Sequence, residues 1–116
     1  MQVSIYHNPR CSKSRQALQL LRERDIEPTV IEYLKNPPDA RTLDELLQRL
    51  GLEPRQLMRT KEKAYTEAGL NDPSLSRAQL IAAMVEHPIL IERPIVVAGG
   101  KAALGRPPEK VLDLLS

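Results

Sequence analysis

The pattern of apolar and polar positions divides the chain into three stretches. In the first, Val3 and Ile5 alternate with polar neighbours, which predicts a short strand over 2–6. His7-Asn8-Pro9-Arg10 is a loop, because Asn-Pro is a turn signal and Pro9 supplies no N–H. A helix is expected over about 11–24, with Ala17, Leu18 and Leu21 on one face. Residues 29–34 are rich in β-branched side chains and predict a second strand, ended by Asn36-Pro37-Pro38.

The middle stretch is helical. Thr42-Leu43-Asp44-Glu45 has the form of a capping box with Thr42 at the N-cap. Leu43, Leu46, Leu47 and Leu50 then recur with helical spacing, and Gly51 ends the run. A shorter helical segment is expected over about 54–68. Ser76-Arg77-Ala78-Gln79 is a second capping box and opens a helix carrying Leu80, Ile81, Met84 and Val85.

In the last stretch, Pro94-Ile95-Val96-Val97-Ala98 predicts a strand. Gly99-Gly100 is a hairpin signal that needs positive φ, and Lys101-Ala102-Ala103-Leu104 returns as the partner strand. Pro107 and Pro108 lead into a final helix whose Val111, Leu112 and Leu115 are expected to point inward. The order βαβ, helices, β-hairpin, helix predicts an α/β fold. Its mixed sheet has two parallel strands joined right-handedly and an antiparallel hairpin. The helical block at about 39–87 reads as an insertion in one domain spanning 1–116.

Composition narrows the function. A chain of 116 residues can bury a core without staples. Three Tyr with no Phe or Trp predict an aliphatic core. A formal charge of +2 argues against a nucleic-acid coat, although a local group of Arg could hold a small anion. No apolar run approaches the roughly 20 residues of a membrane span. The N-terminus is too polar and its apolar part too short for a signal peptide, so the expectation is a cytoplasmic protein with no membrane partner. One Cys and two His give neither an internal disulfide nor a zinc set, so no metal is expected.

A lone cysteine is most often a small buried hydrophobe. The position of Cys11 argues for a reactive thiol instead. It lies where the first strand hands over to the first helix, at the carboxyl edge of a parallel βα unit, where ligands tend to bind. Free N–H groups and the partial positive charge of a helix N-terminus favour a thiolate and a bound anion. Arg10, Lys13 and Arg15 add charge nearby. His7 could tune the thiol, or be an exposed loop residue. Ser14, one turn on, could offer its hydroxyl to the sulfur. Arg59, Arg93 and Arg106 are candidates for an oxyanion site, since a guanidinium gives paired hydrogen bonds and permanent charge. The simplest reading of any one of them is a solvated surface charge. Arg93 is the best placed, directly before Pro94 and the third strand.

Four blocks of sequence carry a resemblance. They are the nine residues from His7 to Arg15, Leu57-Met58-Arg59, the run from His87 to Val97, and Gly105-Arg106-Pro107-Pro108-Glu109. In order and spacing they resemble the glutaredoxin-dependent arsenate reductase family, on its shorter arsenate-reductase-like branch. The resemblance spans essentially the whole chain. It implies a thioredoxin-like fold with a helical insertion, in which the proline matching Pro94 is typically cis. It implies Cys11 as catalytic nucleophile, His7 and Ser14 as supports of the thiolate, and Arg59, Arg93 and Arg106 as oxyanion ligands. Ser12-Lys13 stands where the best-known reductases have Gly-Thr. That limits backbone approach to the anion while adding the charge of Lys13.

The implied reaction is arsenate reduction to arsenite, with glutathione and glutaredoxin as external thiols and no tightly bound cofactor. Two alternatives remain open at this level. One is a thiol oxidoreductase acting on another substrate, such as a glutathione mixed disulfide. The other is a non-enzymatic RNA-polymerase-binding regulator. Ser14, three residues after Cys11, rules out a Cys-x-x-Cys switch in that second role.

Overall fold

The computed structural model describes residues 2–115. Met1 and Ser116, the limits of the expected domain, lie outside the described residues. The chain resolves into two compact units, Met1–Asn36 with Arg93–Ser116, and Pro37–Glu92. The first holds β1 (Val3–His7), α1 (Ser12–Glu23), β2 (Thr29–Glu32), β3 (Ile95–Ala98), β4 (Lys101–Leu104) and a terminal 3₁₀ stretch, Pro108–Leu115. The second holds α2 (Ala40–Leu50), α3 (Pro54–Leu57), α4 (Lys63–Glu67), α5 (Arg77–Glu86) and a 3₁₀ turn, Pro88–Leu90.

The sheet has the order β2-β1-β3-β4, the mixed α/β arrangement of thioredoxin-like proteins. β1 pairs in parallel with β2 and antiparallel with β3, so Ile5 lies between Val30 and Val96. Alternation puts Val3, Ile5, Val96 and Ala98 on one face. There they form a buried cluster with Ala17 and Leu21 of α1 and Val111 and Leu114 of the terminal stretch.

The β3–β4 turn is Gly99-Gly100, with positive φ at Gly99, the first turn position, as a II′ turn requires. That two-residue turn fixes the register Ile95↔Leu104. Continuing it past the strand ends sets Pro94 opposite Gly105 and Arg93 opposite Arg106. The Gly105 amide donates to the Pro94 carbonyl at 2.9 Å, and Arg106 Nε donates to the Arg93 carbonyl at 2.9 Å. The Arg93–Pro94 and Arg106–Pro107 peptides are both cis.

Several local expectations are corrected. The N-cap of α2 is Asp39, whose carboxylate accepts from the Thr42 amide at 2.8 Å, and not Thr42. A carboxylate one turn earlier does the same work, so the helix starts earlier. The segment expected over 54–68 is two short helices. Between them Met58 pairs with Ile91 as an isolated antiparallel bridge, which pulls the backbone out of helical form. The final helix is 3₁₀, and its buried residues Pro108, Val111 and Leu114 recur every three positions, as three residues per turn demand. Leu112 and Leu115 are therefore only half-buried. The core is not wholly aliphatic either, because Tyr6, Tyr33 and Tyr65 are all buried. The Ser76–Gln79 capping box forms as read, and Gly51 ends α2 at φ 68°.

Among the described residues, no helix is long and apolar enough to cross a membrane.

Gly105 is required by packing. A Cβ there would sit 2.7 Å from Pro94 Cγ and 3.2 Å from Val111 Cγ1. Gly105→Ala is expected to destabilise the protein by about 1–3 kcal/mol through overpacking. A urea unfolding curve measures this, and an unchanged midpoint would contradict it.

Candidate active site around Cys11

The loop after β1 is a four-residue turn, Asn8 to Cys11. Asn in the first position and Pro in the second suit a type I turn. The Cys11 amide donates to the Asn8 carbonyl at 3.0 Å, and the Arg10 amide donates to Asn8 Oδ1 at 3.0 Å. Cys11 is the N-cap of α1, with extended φ and ψ of −95° and 122°. This places its sulfur at the open end of the helix, where the first-turn N–H groups have no helical acceptor.

Cys11 is buried, with 9% of its surface exposed. Burial pushes the thiol pKa up and is the largest single influence on it. The Ser14 backbone N–H, the Arg93 guanidinium, the Lys13 backbone N–H and the Arg106 guanidinium each push it down. Together they prevail, and the thiol sits below its ordinary value. Arg93 is itself buried. In low-dielectric surroundings its charge acts on the sulfur with little screening.

His7 and Ser14 support this arrangement differently from the sequence reading. His7 is buried, and not an exposed loop residue. Burial lowers its pKa, Glu32 opposes that, and Arg22 and Arg15 add to the lowering. His7 is therefore neutral at pH 7 and adds no cationic charge for the thiolate. Its Nδ1 lies 2.7 Å from Ser14 Oγ, which also accepts from the Asn8 amide at 3.1 Å. The Ser14 hydroxyl thus ties α1 to the end of β1, and its backbone N–H is what reaches the sulfur. Arg15 braces the loop as well, with Nη1 donating to the Pro9 carbonyl at 2.9 Å.

A family model matches residues 6–114 of the chain, that of the ArsC family. The chain belongs to the ArsC family. An arsenate reductase of Neisseria meningitidis is 50% identical over 115 residues, covering 98% of each chain. An uncharacterised protein of Escherichia coli K12 is 59% identical over 115 residues, 98% of this chain and 97% of its own. The solved structure of an arsenate reductase from Vibrio cholerae superposes with a TM-score of 0.96 at 56% identity, covering 98% of each chain.

Of the three arginines expected to form an oxyanion site in this ArsC-family chain, Arg93 and Arg106 lie in one compact unit and Arg59 in the other. Arg93 and Arg106 are brought side by side by the β3–β4 register, and both act on Cys11. Arg59 belongs to the Pro37–Glu92 unit. Its amide donates to the Leu90 carbonyl at 2.7 Å. Its guanidinium is held by Glu62 at 2.6 Å and approaches Glu92 at 3.9 Å, so its charge is balanced by carboxylates. Those acidic partners carry no motif that a sequence reading would single out. The hydrogen bonds made by Asn8 were hidden for another reason. They depend on the turn geometry of the loop.

Two predictions test the electrostatics. Arg93→Met, which keeps the apolar stem and removes the charge, is expected to raise the Cys11 pKa. Alkylation by iodoacetamide at pH 7 should then slow roughly tenfold or more. A wild-type pH profile in that variant would rule out Arg93 as a source of thiolate stabilisation.

The second concerns acid. The folded pKa of His7 lies below the unfolded value of 6.5, so below that pH the unfolded chain binds more protons than the folded one. Its contribution to stability is complete above the unfolded value and is lost as pH falls toward the lowered folded one. His7→Gln keeps a polar partner for Ser14 and removes the titration. Unfolding midpoints at pH 7 and pH 5 should therefore differ less in the variant than in the parent.

Proposed function

We propose that the protein reduces arsenate to arsenite through a Cys11 thiolate. The observation that carries this reading is a single buried cysteine at a helix N-cap, its thiol depressed by two backbone N–H groups and two adjacent arginines. A thiolate attacking an anion needs fixed positive charge beside it, because two negative partners otherwise repel. Arg93 and Arg106 supply that charge. Membership of the ArsC family and the arsenate reductase names of close relatives support the choice of oxyanion.

The reaction runs with external thiols. Cys11 sulfur forms a bond to arsenic, and a protonated arsenate oxygen leaves as water. A glutathione thiol displaces a second oxygen as water. A glutaredoxin thiolate then attacks the glutathionyl sulfur. A disulfide forms between them, the sulfur–arsenic electron pair stays on arsenic, and pentavalent arsenic becomes trivalent. Water cleaves the remaining Cys11–arsenic bond and releases arsenite. With no second cysteine in the chain to resolve Cys11, an external thiol is needed, and the family resemblance implies glutathione and glutaredoxin in that role.

The test is arsenite release from arsenate by purified protein with glutathione and glutaredoxin. Turnover is expected, and it should vanish in Cys11→Ser. Equal turnover in that variant would exclude Cys11 as nucleophile. No turnover from a folded protein whose Cys11 still alkylates would overturn arsenate as substrate, and a glutathione mixed disulfide would be assayed next.

A further inference from the structure

We propose that Asn8 is a positioning residue that sets the geometry of the Cys11 sulfur, by closing the loop from both sides with its side chain and its backbone. The proposal rests on the reading of Cys11 as the working nucleophile and adds a residue to it.

Asn8 uses three polar groups on one short loop. Its Oδ1 accepts the Arg10 amide at 3.0 Å, its carbonyl accepts the Cys11 amide at 3.0 Å, and its own amide donates to Ser14 Oγ at 3.1 Å. The first two bonds consume the N–H groups of Arg10 and Cys11. Further along, the N–H groups of Lys13 and Ser14 reach the sulfur. The third bond ties the loop to the first turn of α1 through the hydroxyl that also meets His7. The loop is thereby pinned at its strand end and at its helix end.

The side-chain bond is the separable part. An Asx-turn mimics a backbone turn and holds the residue two positions on. Without Oδ1 the Arg10 amide turns to water and the turn loosens at the residue next to Cys11. A hydrogen bond weakens steeply with misalignment, so a small shift of the sulfur costs it the Lys13 and Ser14 N–H groups. It also changes the distance to Arg93 and Arg106. Those two cations, with His7 behind Ser14, Glu32 and Arg22 beside His7, and the exposed side chains of Arg10, Lys13 and Arg15, are charged and titratable groups around the loop. None of them is altered by a change at Asn8, so any effect must come from position.

The test is the pH profile of iodoacetamide alkylation of Cys11 in three proteins, the parent, Asn8→Ala and Asn8→Ser. Asn8→Ala removes the acceptor. Asn8→Ser restores a short hydroxyl acceptor that forms the same turn without adding charge. The expected result is a profile displaced to higher pH in Asn8→Ala, with alkylation at pH 7 slowed roughly three- to tenfold, and substantial recovery in Asn8→Ser. A structural role alone would lower the unfolding midpoint and leave the profile in place. An unshifted profile in Asn8→Ala therefore overturns the proposal, as does a shift that Asn8→Ser fails to reverse. The assay uses no arsenate. A displaced profile in a protein that never turns over arsenate would sink the substrate and keep the positioning role.

Discussion

The antiparallel pairing of β1 with β3 is the constraint on which the site depends. β1 ends at His7, and Tyr6 is registered with Ile95 at the start of β3. The C-terminal end of β1 and the N-terminal end of β3 therefore lie at the same edge of the sheet. The two-residue turn at Gly99-Gly100 then returns β4 to that edge. Cys11 follows β1 by one tight turn, and Arg93 and Arg106 are each separated from β3 and β4 by a single residue, Pro94 and Gly105. Three segments far apart in sequence deliver a thiol and two cations to one place. No side chain had to be long enough to bridge the sheet.

That edge is held by small, specific contacts. Gly105 has no Cβ because Pro94 and Val111 occupy the space one would need. Its amide and the Arg106 guanidinium close on consecutive carbonyls, Pro94 and Arg93. Arg106 is thus both a source of charge and a strap on the segment carrying the other arginine. The same economy appears in the loop, where Ser14 Oγ joins His7 and Asn8 while the Ser14 backbone N–H serves the sulfur. A buried polar network of this kind is stable only when each member is satisfied. That explains why His7, 6% exposed, and Ser14, fully buried, can sit inside the protein.

Most of the architecture was legible in the sequence because it follows from period and punctuation. Alternation at Val3 and Ile5, the glycine pair at 99–100 and the Ser76–Gln79 box are local signals, and local hydrogen bonds fulfil them. The errors have tertiary or competitive causes. Asp39 outcompetes Thr42 as a cap. Met58 leaves the helix for a bridge to Ile91, a residue far along the chain. The terminal stretch tightens to a three-residue repeat, which an apolar pattern of Val111, Leu112 and Leu115 does not distinguish from an α-helix. The site divides along the same line. The place of Cys11 at a strand-to-helix junction was readable. The burial of His7 and its bond to the Ser14 hydroxyl were not, since whether a histidine is buried depends on packing that no motif encodes.

The balance at Cys11 follows from these facts. Burial alone would leave an inert thiol, because a thiolate loses its hydration. Two backbone N–H groups and two guanidinium groups reverse that outcome. The donors are fixed by α1 and by the β3–β4 register, so they need no rearrangement when charge develops on the sulfur. Arg59 has a different resting state. Glu62 and Glu92 already neutralise it, and any anion it binds must first compete with those carboxylates. Loss of Arg93 or Arg106 reaches the thiol itself.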